Sequence, residues 1–445
     1  MKRLLIANRG EIALRILRAC RELGIEVVAP YTRADEQMVH LPMADDRICV
    51  GRHSYLDAGQ LISAAQVTGC DAIHPGYGFL SEDAAFASAV ESAEMTFVGP
   101  APEQIAMMGD KASARSLLQA AGVPVLPGSE GIVADVRAAV SAAAAIGYPV
   151  MLKAAAGGGG RGILLAGDEE TLVQDYATVS AQAEVLFGNP GVYIEKYVAD
   201  ARHIEIQVIG DGNGRVLHLG ARECSIQRRH QKLLEEAPPP GIPDNIIESL
   251  GRDCCRALET VNYRNAGTLE FLYSSGDFFF IEMNTRIQVE HPVTELVTGV
   301  DLVKLQLETA RDQGFTLTQS SVSIDGHAME CRINAEDENF LPAPGKVQML
   351  HLPDGPGIRV DTHLYQGYEV PHQYDSLLAK LVTHGSDRDE ARLRMHRALQ
   401  ELQIRHLPTT APVHQAIIES ENFVRGSYDT GFIEKAGLGG SHAVD

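Results

Sequence analysis

Three polar residues at alternate positions, Glu282, Asn284 and Arg286, follow the apolar run 278–281. Period two puts all three on one face of a strand. Two hard oxygen ligands beside a fixed guanidinium suit a divalent cation that carries a polyphosphate. Another acid, Glu270, lies in a second strand-like run, 268–272. Antiparallel neighbours would bring Glu270 and Glu282 together. Two such carboxylates repel, and a divalent cation between them removes that cost. Without it, the same alternation reads as a half-exposed strand.

Other stretches carry related chemistry. Lys153 ends an apolar strand and is followed by Gly157-Gly158-Gly159-Gly160-Arg161-Gly162 and a second strand. Such a hairpin tip either moves freely or lays bare amides against phosphate oxygens. It is not a Walker A loop, since no helix and no G-K-S/T follows. The strand 192–197 ends in Glu195-Lys196-Tyr197, where main chain and acid suit an adenine amino group and a ribose. His203, Glu205 and Gln207 alternate on one face. The run 222–232, Arg222-Glu223-Cys224-Ser225-Ile226-Gln227-Arg228-Arg229-His230-Gln231-Lys232, is the most basic in the chain. It reads either as a solvated loop or as an anion site.

These side chains need a scaffold. Apolar runs at 3–7, 25–31, 47–50, 72–74 and 96–98 alternate with helical spacing at 10–23, 56–67 and 82–94, which predicts a parallel sheet with helices on both faces. The first strand-to-helix turn, Asn8-Arg9-Gly10-Glu11, lacks G-x-G-x-x-G, so no dinucleotide site is read there. Arg15, Arg18, Arg21 and Glu22 are expected on a solvated helix face. The segment 74–82, His74-Pro75-Gly76-Tyr77-Gly78-Phe79-Leu80-Ser81-Glu82, stands at a strand's carboxyl end, as a site or a structural turn, with Ser81 as the expected helix cap. A helix is expected from Lys111 to Ala121, another over 246–261, mainly helical chain over 291–313, and a helix over 388–402. Strands are expected at 327–335, 345–350, 357–360 and 377–383.

With 445 residues, 45% apolar and 22% charged, the chain is sized for about three globular domains. Its net charge of −21 argues against general binding to nucleic acid or to anionic membrane. Seven scattered cysteines form no C-x-x-C pair, so neither a disulfide framework nor a zinc site is expected. No signal peptide or membrane span is read, and the expected location is cytoplasmic.

In combination, Ile6-Ala7-Asn8-Arg9-Gly10-Glu11-Ile12-Ala13, the segment 74–82, Met108-Gly109-Asp110-Lys111, the glycine hairpin, the run 222–232, Glu282-Met283-Asn284-Thr285-Arg286-Ile287-Gln288-Val289-Glu290-His291 and Glu330-Cys331-Arg332 resemble the biotin carboxylase family of the ATP-grasp superfamily. The resemblance runs over about 1–436. It implies an α/β and α+β molecule: an N-terminal parallel-sheet (pre-ATP-grasp) domain at 1–110, an ATP-grasp domain at 111–320 with a mobile glycine-rich lid at about 125–200, a C-terminal biotin carboxylase domain at 321–436 and a flexible tail at 437–445. The lid strand reads Lys153-Ala154-Ala155-Ala156-Gly157, with alanine where many relatives carry serine or glycine.

The resemblance also implies roles. Lys111, Lys153, Gly159 and Gly160 would bind ATP phosphates, and Glu195, Lys196, Tyr197 and Val198 would border adenine. His203, Gln227 and His230 would lie near ribose and phosphates. Glu270, Glu282 and Asn284 would hold two magnesium or manganese ions. Lys232, Arg286 and the Val289 amide would hold bicarbonate, with Glu290 as its base. Arg332 and Tyr77 would meet biotin. The implied reaction carboxylates biotin through carboxyphosphate, as the first half-reaction of an acetyl-CoA or other acyl-CoA carboxylase in fatty acid biosynthesis. No Ala-Met-Lys-Met attachment sequence occurs, so biotin is expected on a separate carrier protein, with carboxyltransferase subunits as further partners. Arg15, Arg18 and Glu22 lie where relatives pair their subunits, which implies a homodimer. The competing readings are a bicarbonate ligase of carbamoyl phosphate synthetase type and a non-catalytic nucleotide-binding regulator.

Overall fold

The computed structural model describes residues 1–51, 55–129, 131–155, 162–312 and 314–438. Gly159 and Gly160 of the expected lid lie outside these residues, as does the end of the expected tail, 439–445.

Leu4, Leu5 and Ile6 are buried because their strand, β1 (Arg3–Ile6), is the middle of a parallel sheet. After it come α1 (Gly10–Glu22), β2 (Glu26–Tyr31), β3 (Asp46–Cys49), α2 (Ala58–Val67), β4 (Ala72–His74), α3 (Ala84–Ser92) and β5 (Thr96–Phe97). The strand order is β3-β2-β1-β4-β5. Leu5, Val28 and Ile73 pack against Leu61 of α2 and Phe86 of α3. Leu4, Ile6 and Val27 pack on the other face with Ile12 and Ile16 of α1. The continuous apolar runs of β1, β2 and β4 thus bury both faces, as expected, while the edge strand β3 is mostly exposed.

The carboxyl ends of β1 and β4 meet in a clamp. The Asn8 amide donates to the Pro75 carbonyl at 2.7 Å and to the Tyr77 carbonyl at 2.8 Å. Gly76 has φ +65, and a Cβ there would stand 2.7 Å from Asn8 Nδ2. A side chain at that position would break the clamp. Arg9 makes a two-bond ion pair with Asp35, both bonds 2.8 Å, and lies 4.0 Å over the Tyr374 ring. The Asn8-Arg9-Gly10 turn therefore fastens the loop 75–82 and the C-terminal part of the chain. Two expectations are corrected here. Asp83, not Ser81, caps α3, because its carboxylate accepts from the Phe86 amide at 2.9 Å. Arg15 is buried rather than solvated, because Glu295 at 2.8 Å and Asp301 at 2.5 Å neutralise it.

Next come α4 (Pro102–Gly109), α5 (Lys111–Ala120), α6 (Val136–Ile146), β6 (Val150–Ala154), β7 (Ile163–Ala166), α7 (Glu169–Phe187) and β8 (Val192–Lys196). Asp110 caps α5 and so aims the first turn, with Lys111, out of the helix start. Strands β7-β6-β8 form an antiparallel sheet. It is covered by Ala139 and Ala143 of α6 and by Leu172 and Val179 of α7. Neither helix is read from the sequence, since alanines give little amphipathic contrast. Their N-termini are capped by Asp135 and Asp168, which accept from the Ala138 amide at 2.8 Å and from the Thr171 amide at 2.9 Å.

Beyond lie β9 (Arg202–Asp211), β10 (Val216–Arg228), β11 (Gln231–Ala237), α8 (Asp244–Glu259), β12 (Arg264–Ser274), β13 (Asp277–Asn284), α9 (His291–Thr298), α10 (Leu302–Asp312) and β14 (His327–Asn334). The chain ends with β15 (Met349–His351), β16 (Ile358–Thr362), β17 (Leu377–Gly385), α11 (Arg388–Glu401), β18 (Gln403–Arg405) and α12 (Ala411–Glu419), among shorter turns. One eight-stranded antiparallel sheet has the order β13-β12-β9-β10-β11-β14-β17-β16. It joins strands from both sides of residue 320 through β11 and β14. The run 222–232 is not a loop. Through Arg228 it is buried strand, turning at Arg229 and His230 into β11. Of the strand expected at 345–350, only its end lies in β15, which pairs with β18. The chain stays packed through Leu438, whose amide donates to the Ile433 carbonyl at 3.0 Å. Among the described residues no helix is long and apolar enough to cross a membrane.

Candidate active site

One transverse row of the large sheet builds the site. Arg222 on β10 stands opposite Glu205 on β9, Glu205 opposite Glu270 on β12, and Glu270 opposite Glu282 on β13. Directly opposed residues share a face, with Cβ atoms about 5 Å apart. The expected Glu270–Glu282 juxtaposition is therefore a matter of register. Asn284 donates to Glu270 Oε1 at 2.8 Å and Gln288 at 2.9 Å, so the carboxylate is oriented from two sides. Burial and the neighbouring Glu270 raise the Glu282 carboxyl above its ordinary value. That is the electrostatic signature of a place for a cation, and the donor set of two carboxylates and an amide oxygen suits magnesium or manganese.

Lys232 lies above this row. Its ammonium pairs with Glu205, reaches Glu270 Oε1 at 3.0 Å and Glu290 Oε1 at 2.9 Å, and lies 3.4 Å from Gln288 Oε1. Burial opposes its charge, but Glu205 and Glu270 outweigh burial and raise the amine well above its ordinary range. Burial likewise opposes the charge on Glu270, and Lys232 and His203 overcome it, so the carboxyl lies well below its ordinary value. His203 Nε2 is 3.1 Å from Glu270 and 3.4 Å from Glu205. Against burial, those acids raise its imidazole to about 9. Arg222 and Lys232 balance Glu205, and Lys232 and His203 balance Glu270, which leaves Glu282, with Lys111 only at 3.9 Å, as the least compensated acid of the row.

Glu290 bridges two cations: Lys232 on one oxygen and Arg332 Nη2, at 2.9 Å, on the other. Burial would raise its carboxyl, but Lys232 and Arg332 hold it below the ordinary range. Arg286 is fixed by Glu82 Oε2 at 2.8 Å and Asn284 Oδ1 at 2.9 Å. Next to it, the Val289 carbonyl accepts from Lys380 at 2.9 Å. The Tyr77 hydroxyl donates to Glu11, which pairs with Lys380 at 3.2 Å. Arg332, Glu290, Lys232 and Glu270 are thus linked through one charged network, and Tyr77 belongs to a second chain with Glu11 and Lys380.

The expected phosphate and adenine residues border this centre. Lys111 Nζ stands 3.9 Å from Glu282. Lys153 pairs with Glu195, whose other oxygen accepts from Arg115 at 3.0 Å. Lys196 donates to the Gly147 carbonyl at 2.8 Å and the Tyr148 carbonyl at 3.2 Å, so its ammonium is turned away from the centre into the α6–β6 turn. The Tyr197 amide donates to the Pro149 carbonyl at 3.2 Å, and Val198 follows it. Gln227 donates to the Cys224 carbonyl at 3.2 Å, beside His203. Burial and the nearby Lys153 lower the His230 imidazole below its ordinary value. The arrangement is a dense set of paired cations and acids along one row of the large sheet, bordered by Lys111 and Lys153.

Comparison with known proteins agrees with this geometry. Family models match residues 1–105 (biotin carboxylase, N-terminal domain), 110–319 (carbamoyl-phosphate synthase L chain, ATP binding domain) and 330–435 (biotin carboxylase C-terminal domain). Biotin carboxylase 1 of Bacillus subtilis is 52% identical over 99% of this chain and 100% of its own. The chain belongs to the biotin carboxylase family. The structure of the biotin carboxylase–βγ-ATP complex from Campylobacter jejuni has a TM-score of 0.95 at 44% identity, covering 98% of both chains. The biotin carboxylase domain dimer of Hydrogenobacter thermophilus 2-oxoglutarate carboxylase, solved with MgADP, ADP and bicarbonate, also has a TM-score of 0.95, at 43% identity over 100% of this chain and 99% of that one.

This biotin carboxylase family member has the ATP-grasp architecture with an N-terminal parallel sheet. Four of its site residues escaped residue-by-residue reading: Glu82, Arg222, Gln288 and Glu235, which takes Arg332 Nε at 2.6 Å. For Glu82 and Gln288 the signal was their place in the two densest motifs. Arg222 likewise lay in the basic run 222–232, while Glu235 carried no signal, because a charge buried by a partner far away in sequence looks like any surface charge.

Proposed function

We propose that this chain carboxylates biotin on a biotin carboxyl carrier protein, using ATP and bicarbonate and releasing ADP and phosphate. The observation that carries the reading is Glu290, an acid locked between Lys232 and Arg332 beside a pair of metal-competent carboxylates.

Glu270, Glu282 and Asn284 hold magnesium or manganese, which, when bound, offsets phosphate charge during transfer. Lys111 and Lys153 take the nucleotide phosphates together with Gly159 and Gly160. Lys153 must then leave Glu195, which turns to the adenine side with Lys196, Tyr197 and Val198. His203, Gln227 and His230 border the ribose and phosphates. Lys232, Arg286 and the Val289 amide hold bicarbonate. As the anion takes Lys232, Glu290 loses one of its two cations and gains basicity where the proton must be accepted. Bicarbonate oxygen attacks the γ-phosphorus, the bond to ADP breaks, and carboxyphosphate forms in a site poor in water. Carboxyphosphate splits to carbon dioxide and phosphate. Phosphate removes the N1′ proton of biotin, Arg332, with Tyr77 nearby, meets the ureido oxygen that gains charge, and N1′ then bonds to the carbon of carbon dioxide to give carboxybiotin.

The carrier protein, carboxyltransferase subunits and a second copy of this chain are the partners. Arg15, Arg18 and Glu22 lie in the region assigned to self-association, although Arg15 also serves its own fold. Free thiols at all seven cysteines support a reducing, cytoplasmic setting. The parent reaction is the first half-reaction of an acetyl-CoA or other acyl-CoA carboxylase. Measuring ADP release with and without bicarbonate, biotin and magnesium tests the reading. Release that requires both bicarbonate and biotin, without ammonia, supports it. Release that requires ammonia favours the carbamoyl phosphate synthetase reading, and no release under any condition favours a silent nucleotide binder. Affinity purification then names the carrier and the acyl-CoA partner.

A further inference from the structure

Glu330 takes no part in the chemistry above, yet it is fully buried in the wall of the site. It lies on β14 directly opposite Glu235 on β11, two residues before Arg332 on the same face. Apolar side chains also border it: Val382 opposite it on β17, and Ala328 and Val293 in one small cluster. Glu235 Oε1 binds Arg332. Glu235 Oε2 and both Glu330 oxygens are buried and have no hydrogen-bond partner among the described residues. Two ionised carboxylates on directly opposed residues, whose Cβ atoms lie about 5 Å apart, both fully buried and with three oxygens lacking a protein partner, carry a desolvation and repulsion cost that one proton removes.

We propose that Glu235 and Glu330 share a single proton as one acid–carboxylate pair behind Arg332, and that Glu330 is thereby a positioning residue. The proton joins the pair, and the remaining negative charge lies on the Glu235 side, against the guanidinium. Arg332 is then held between one charge on the pair and one on Glu290, in place for the ureido oxygen. Burial and neighbouring acids push Glu330 well above its ordinary value and Glu235 up to about 7, values that belong to the pair together. The charged groups facing the pair are Arg332, Lys380, Glu290 and Lys232. Lys380 does not satisfy Glu330, because it is engaged by Glu11, Asp361 and the Val289 carbonyl.

The functional side of this inference rests on the proposed role of Arg332; the shared proton does not. Infrared difference spectra of the substrate-free protein at neutral pH test the proton directly. Subtracting Glu330→Gln from the parent should reveal the carbonyl stretch of a protonated carboxylic acid. Glu235→Gln should move that band to higher frequency by removing the carboxylate it bonds to. In ADP-release assays at pH 7, Glu330→Ala should raise the KM for biotin several-fold more than Glu330→Gln, which keeps a neutral donor against the Glu235 carboxylate. Glu235→Gln should raise the KM for biotin about tenfold or more, since it leaves Arg332 short of a buried partner. Absence of an acid band in both difference spectra overturns the shared proton, and either variant alone is enough to decide if the other does not fold. A band that behaves as expected with unchanged kinetics in Glu235→Gln keeps the pair and overturns its role toward Arg332.

Discussion

Glu82 and Arg286, 204 residues apart in sequence, meet at 2.8 Å across the boundary between the parallel sheet and the large antiparallel sheet. The second Glu82 oxygen accepts from the Thr285 amide at 3.1 Å, so one carboxylate sets both the guanidinium and the backbone that carries it. Because Glu82 is partly exposed, its worth is discounted for solvent. Glu82→Gln should raise the KM for bicarbonate by about fivefold, ~1 kcal/mol, with little change in ATP affinity. Arg286→Ala removes the oxyanion partner itself and should lower kcat by about two orders of magnitude, ~3 kcal/mol. Steady-state kinetics on both variants check the ordering; equal losses would show that Glu82 does more than orient Arg286.

Glu290→Gln keeps shape and removes basicity. Nucleotide binding by calorimetry should be preserved, while bicarbonate-dependent ADP release falls by roughly 10²–10⁴. Unchanged turnover would remove Glu290 from the reaction.

The opposed acids Glu270 and Glu282 predict a reversal of sign on metal removal. In chelator, Glu282→Gln should melt at a temperature equal to or above that of the parent, because it relieves repulsion. With magnesium and ATP, the parent should gain several degrees and the variant little. Thermal shift measured in both conditions decides; a lower melting temperature in chelator would mean that Glu282 stabilises the fold without a cation.

Glu236, fully buried, ties β11 to β14 and α11 through His327 at 2.6 Å, Arg388 at 2.7 Å and the Tyr428 hydroxyl. Burial opposes its charge, but His327 and Arg388 bring the carboxyl down to about 2. A depressed folded-state value means stability that is full above the ordinary carboxylate range and is lost as pH falls toward 2, worth roughly 3 kcal/mol. At pH 7, Glu236→Gln should lower the midpoint of the first urea transition, and the gap from the parent should narrow below about pH 4.5. A gap independent of pH would show that shape, not charge, is what Glu236 supplies.

Much of the scaffold was legible because apolar side chains report their own environment. The apolar runs of β1, β2 and β4 and the spacing of Ile12 and Ile16 in α1 follow directly from which faces must leave water. Helices α6 and α7 were not legible, since small and mixed side chains leave little contrast between their faces. For the site, Glu282 and Asn284 stood out because period two is a local rule.

From the amino-acid sequence alone followed the kinds of groups, their local faces and the family they resemble. The tertiary structure decided which charges are paired. Arg15 and Glu235 look like ordinary surface residues in sequence, and each is buried because of neighbours brought in by strand register or helix contact. The physical reason is that burying a charge depends on a partner within a few ångströms, and for these residues that partner comes from another element of the fold.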